Sequence, residues 1–141
     1  MPVQPTREQL AVLGAIAGTD ADGPVIMLNL NHYREHAVYE TDPPGGEDPG
    51  VSGREAYGRY GAVAQRVLER VGGGIVWHAD TPGLVIGDEA NRCDEVLAVR
   101  YPSVKAFLEL ALDPEIMVAL AHRSAGLERA TIIRCEPGLG E

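Results

Sequence analysis

The stretch Val25-Ile26-Met27-Leu28-Asn29-Leu30-Asn31-His32-Tyr33, set off by Pro24, constrains this chain more than any other. It is a nearly continuous apolar run that turns polar at its end, the pattern of a strand covered on both faces. Val25 and Met27 fall on one parity, and Ile26, Leu28 and Leu30 on the other. Helices of the same chain can cover one face. The other is covered most economically by a second copy, so a homodimer through the sheet face is expected.

The remaining elements follow from punctuation and period. Thr6 with Gln9 predicts an N-terminal helix over about residues 6–18, carried by Leu10, Leu13, Ile16 and Ala17. From Arg34 to Gly50 the chain is rich in Pro, Gly and acidic residues, which predicts a long loop over 34–50. Ser52 with Glu55 opens the most strongly patterned helix (Tyr57, Tyr60, Ala64, Val67, Leu68, Val71), which Gly72-Gly73-Gly74 closes. Ile75 to Ala79 reads as a strand, and Leu84 to Gly87, beyond the Thr81-Pro82-Gly83 turn, as its hairpin partner or a ragged return. Asp94 to Tyr101 is another strand, stopped by Pro102. Ser103 then caps a helix, Asp113-Pro114-Glu115 restarts one, and Ala130 to Cys135 is the last strand. No internal repeat or second core appears, so residues 1–141 are expected to form a single domain with its core over about 24–136.

The order is βαββαβ behind an N-terminal helix: an α+β, ferredoxin-like fold with an antiparallel sheet and helices on one face. Three stretches carry a family resemblance: Met27-Leu28-Asn29-Leu30, Gly53-Arg54-Glu55-Ala56-Tyr57-Gly58-Arg59-Tyr60-Gly61, and Val99-Arg100-Tyr101-Pro102-Ser103 with the Asp113-Pro114-Glu115 restart. From about Pro24 to Glu136 the chain resembles the bacterial family called domain of unknown function 1330, of the dimeric α+β barrel superfamily. The resemblance implies a subunit whose sheet joins a second copy to close a barrel. It brings no reaction, because that family has no assigned chemistry. The wider superfamily includes cofactor-free monooxygenases, isomerases, cyclases, haem enzymes and regulatory ligand-binding modules.

Charge narrows the partners. With 21 acidic and 12 basic residues the formal net charge is −9, which repels phosphate backbones and anionic headgroups, so neither nucleic acid nor a membrane surface is expected as a partner. No apolar run approaches a membrane span and the N-terminus lacks the order of a secretory signal, so the expected location is the cytoplasm. Cys93 and Cys135 make neither a disulfide framework nor a zinc pattern. His32, His36 and Glu40 have metal-ligand spacing only on a helix, which the strand before them and the prolines after them argue against. Gly72-Gly73-Gly74 closes a helix instead of opening one and no Lys-Ser/Thr follows, so it is no phosphate loop. No metal and no cofactor is expected.

Strand direction sorts the residues by end. If the first strand runs up, the second runs up, the third and fourth run down, and the helix ending near Ser124 runs up. One end therefore collects Asn29, Asn31, His32, the acidic loop, Tyr57, Tyr60, Trp77, His78, His122 and Arg123, and with them all four histidines. His78 and His122 are the candidate acid/base catalysts, because imidazole exchanges protons at neutral pH; the alternative is a solvated or helix-capping role. Tyr57 and Tyr60 either fill the core or line a ligand cavity, and Trp77 either packs or offers a flat surface to an aromatic substrate. Asn29 and Asn31 would orient a substrate carbonyl or belong to a structural network, and Arg123 would anchor a carboxylate or face solvent. The expected function is binding of a small organic molecule. It extends to cofactor-independent proton transfer, isomerisation or monooxygenation, with a non-catalytic ligand-binding or regulatory dimer as the alternative.

Overall fold

Short polar residues fix where each helix begins. In a computed structural model describing residues 3–137, Thr6 Oγ1 accepts from the Gln9 N–H at 3.1 Å while Gln9 Oε1 accepts from the Thr6 N–H at 2.8 Å. Ser52, Ser103 and Asp113 accept in the same way from Glu55, Ala106 and Glu115, satisfying N–H groups that a helix start leaves without partners. The helices so opened are α1 (Arg7–Ile16), α2 (Gly53–Arg70), α3 (Val104–Ala111) and α4 (Pro114–Gly126). The strands are β1 (Val25–Tyr33), β2 (Gly74–Asp80), β3 (Glu95–Tyr101) and β4 (Leu127–Cys135), with a short 3-10 turn at Glu89–Asn91.

The sheet is antiparallel in the order β2-β3-β1-β4, the ferredoxin-like arrangement expected from the sequence. Residues opposite one another share a face. One face carries Val25, Met27 and Tyr101 against Val67 and Leu68 of α2, Val104 and Leu110 of α3, and Ile116 of α4. The other presents a row running across all four strands, Trp77, Ala98, Leu28 and Ile133. The side chain of Trp77 is 50% exposed there, and that of Ile133 is exposed too.

The expected return strand at Leu84–Gly87 does not form. β2 pairs with β3 instead, and residues 81–94 are a loop in which Val85 is 97% and Ile86 93% exposed. An apolar run alone cannot choose between pairing partners. The longer β3 offers seven residues to the ladder, and the loop is tied down by Thr81 N–H donating to Asp94 O at 3.0 Å. β4 also begins earlier than the periodicity suggests: α4 ends at Gly126 and the strand starts at Leu127, with no connecting residue.

Two local features set the functional end. Val76 is an extra residue in β2, a bulge between Ile75 and Trp77. It turns Trp77 onto the outer face and brings His78 and Asp80 to the helix side, opposite Leu97 and Glu95. Gly53 and Gly126 let α2 and α4 cross with their backbones touching: a Cβ at Gly53 would lie 2.1 Å from Arg34 O, and one at Gly126 2.3 Å from Gly53 O. Through that gap Arg34 N–H donates to Gly126 O at 2.8 Å and Gly53 N–H to Arg34 O at 3.1 Å.

Candidate functional site

The β1 exit, the β2 exit, the start of α2 and the end of α4 meet at one end of the sheet, so the expected clustering of histidines there is observed. Two polar networks occupy it. The first grows from the row Asp80, Glu95, Asn31 and Ala130, which crosses the helix-facing side. Asn31, 1% exposed, donates from Nδ2 to the Tyr33 hydroxyl at 3.3 Å, and that hydroxyl donates to Glu95 Oε1 at 2.5 Å. Burial, and then this carboxylate, keep the Tyr33 phenol protonated well above the ordinary phenol range. Glu95 also meets His78 Nδ1 at 3.3 Å and Arg54 Nη1 at 3.6 Å, and Arg54 pairs with Asp80 at 3.1 Å while covering the Tyr33 ring. His78 thus sits on the partly buried Glu95, its own side chain largely in solvent.

The second network surrounds His122, which is 4% exposed. Its Nε2 lies 3.2 Å from Glu47 Oε2 and its Nδ1 2.7 Å from the Tyr39 hydroxyl. Arg59 Nη1 donates to the same hydroxyl at 3.0 Å. Backbone N–H groups, its own first and Gly45 among the rest, hold the Glu47 carboxyl below its ordinary 4.5, with His122 and Arg59 adding to this. An ionised Glu47 only accepts, so Nε2 carries the hydrogen. In neutral His122 the other nitrogen, Nδ1, is therefore the acceptor for the Tyr39 proton.

Of the residues expected from sequence, His122 joins this second network and Asn31 and His78 the first. Tyr57 and Tyr60 lie beside them with ring centroids 5.6 Å apart, both phenols held protonated chiefly by burial. Arg123 is buried, lies over the Tyr60 ring at 5.9 Å and donates to the main-chain carbonyl of Val3. Asn29 does not reach the networks, since its Nδ2 donates to Met27 O at 3.0 Å on its own strand. Trp77 lies on the opposite face of the sheet. Tyr39 and Arg59 were not expected, and Glu47 only as one of the acidic residues of the 34–50 loop at this end. Tyr39 is the one aromatic residue in the 34–50 loop, and that was the available signal. Cys93 and Cys135 are free thiols at opposite ends of the sheet.

A cavity of about 450 Å³ is lined by Tyr33, Arg34, Ser52, Arg54, Asp80, Thr81, Pro82, Arg92 and Asp94. A smaller one of about 270 Å³ lies near Asp22, Val104 and Arg134. No helix among the described residues is long and apolar enough to cross a membrane.

Two crystal structures of the RPA0582 protein are similar to this chain. That of the methylated protein is 37% identical, covers 99% of this chain and 98% of its own, and superposes with a TM-score of 0.83. The other, of the protein of unknown function from Rhodopseudomonas palustris, is 36% identical over 96% of this chain and 95% of its own, with a TM-score of 0.81. No family model and no curated protein matches the chain.

Proposed function

We propose, for this chain, which belongs to the family of the RPA0582 protein of Rhodopseudomonas palustris, the function of a proton-transfer enzyme acting on a small carbonyl compound without a cofactor. The observation that carries the reading is His122, nearly sealed from water and bonded at both nitrogens, one to Glu47 and one to Tyr39. A carboxylate on one imidazole nitrogen and a hydroxyl on the other is the geometry of an oriented imidazole that activates the hydroxyl as a base. The Tyr39 proton passes to His122 Nδ1, and the phenolate oxygen, faced by the Arg59 guanidinium, takes a proton from carbon beside the substrate carbonyl. Returning a proton to a different carbon gives an isomer, with every proton accounted for.

The resemblance to the domain of unknown function 1330 and the exposed Trp77 and Ile133 on the outer sheet face support the same assembly, a homodimer in which a second copy covers that face.

The test is loss of carbon-bound hydrogen signals in deuterated water, followed by NMR for a panel of small 2-oxo acids, 3-oxo acids and unsaturated lactones. At least one compound is expected to exchange with the protein, and Tyr39→Phe and His122→Gln to slow that exchange by about a hundredfold or more. His36→Gln, at an exposed loop histidine, serves as the control. If no compound exchanges faster with the wild-type chain than with Tyr39→Phe, the enzymatic reading is overturned in favour of the ligand-binding one.

A further inference from the structure

The 450 Å³ cavity lies outside the His122 network, since none of Tyr39, Glu47, Arg59 and His122 lines it. Three guanidinium groups, Arg34, Arg54 and Arg92, and two carboxylates, Asp80 and Asp94, are among its walls. Two of the three positive charges are already engaged. Arg54 pairs with Asp80 at 3.1 Å and Glu95 at 3.6 Å, and Arg92 with Glu89 at 3.3 Å. Arg34 forms no ion pair among the described residues, and its Nε is shielded from solvent with no hydrogen-bond acceptor. Alone of the three, the Arg34 guanidinium at this wall has no carboxylate partner among the described residues, and an anion in the cavity would supply one.

The surroundings are built to hold that arginine in place. Its N–H and C=O are both bonded, to Gly126 and Gly53, and the two glycines are there because a Cβ at either would strike backbone. The facing wall is fixed as well. Asp94 Oδ2 accepts from the Tyr33 N–H at 2.8 Å, and the Thr81 hydroxyl donates to Cys93 O at 2.8 Å. A carboxylate so placed can accept from a ligand hydroxyl. The volume falls within the small-molecule range of roughly 300–1,000 Å³, far more than a bare carboxylate or phosphate needs, and a lining this charged repels an apolar guest.

The geometry points to a binding site for a small hydroxylated carboxylic acid. Arg34 takes the carboxylate, and Asp94 and Asp80 accept from the hydroxyls. The inference does not rest on proton transfer at Tyr39, and the two fail separately.

The test is a titration of the full chain with gluconate, followed in amide NMR spectra, with sorbitol and inorganic phosphate as parallel probes. Gluconate is expected to give saturable shifts at Arg34, Ser52 to Arg54, Thr81 and Asp94. Sorbitol lacks the charge and phosphate the hydroxylated chain, so each should bind about tenfold or more weakly. Arg34→Met should lose about tenfold or more of the gluconate affinity, and Arg34→Lys, which keeps the charge without the fork, should fall between the two. Circular dichroism of both variants verifies the fold. No saturable response to gluconate, an equal response to phosphate, or unchanged affinity in folded Arg34→Met each overturns the proposal.

Discussion

A single side chain in a loop can matter as much as one on a helix, and Tyr39 is the case in point. His122 was legible from sequence because strand directions place it at the histidine-bearing end, but its partners Tyr39 and Glu47 sit where no periodicity operates. The phenols yield the first residue-scale prediction. Tyr33, Tyr57, Tyr60 and Tyr101 all have their ionisation raised above the ordinary 10.0, chiefly by burial. The stability they contribute is complete below that value and is lost as pH climbs beyond it, because the unfolded chain releases these protons first. Thermal midpoints should therefore fall steeply above about pH 10, with the phenolate absorbance of these four rising only on unfolding; all four titrating normally in the folded protein would contradict this. Asp22 has the opposite sign. N–H groups of Gly18, Val104, Lys105 and Gly23 hold it below its ordinary 3.8, so its contribution is present above that pH and lost as pH falls through the folded value. Asp22→Ala should lower the thermal midpoint at pH 7, and the gap to wild type should close in acid.

Elements were read with uneven success, and the reasons are physical. Every helix start announced itself, because a cap is a local chemical requirement that the sequence must meet within three residues. Pairing is not local. Leu84 to Gly87 has a strand's composition and no strand partner, and the Val76 bulge, which decides that His78 and not Trp77 meets Glu95, leaves no mark on the hydrophobic pattern. Glycine is equally two-sided. Gly58 and Gly61 lie inside α2 with nothing within 4 Å of an added Cβ, so Gly58→Ala and Gly61→Ala should each stabilise by about 0.5–1 kcal/mol in chemical denaturation. At Gly53 and Gly126 the same methyl meets backbone at 2.1 and 2.3 Å, and Gly53→Ala or Gly126→Ala should cost about 3 kcal/mol or more. Equal effects at all four positions would show that the close crossing of α2 and α4 is not what those glycines serve.

At the scale of the whole molecule, the apolar parity of β1 anticipated a sheet covered on both faces; within one chain the helices cover one face, and the other carries the exposed Trp77 and Ile133. If a second copy covers the bare face, Trp77→Asp should shift the sedimentation coefficient from dimer to monomer while leaving the far-ultraviolet spectrum intact. A wild-type chain sedimenting as a monomer would sink the assembly. The acidic charge, by contrast, said nothing of the arginines that line the 450 Å³ cavity, because composition averages over position. The junction at Gly126 and Leu127 bears on folding itself. A helix that passes into a strand without a spare residue has no slack, so α4 cannot settle on α2 until β4 is in register beside β1, nor β4 slip without lifting α4. Helix and strand should therefore close and open as one cooperative unit. Because β1 and β4 lie about a hundred residues apart in sequence, that closure completes the fold late, as the latch of an otherwise assembled chain.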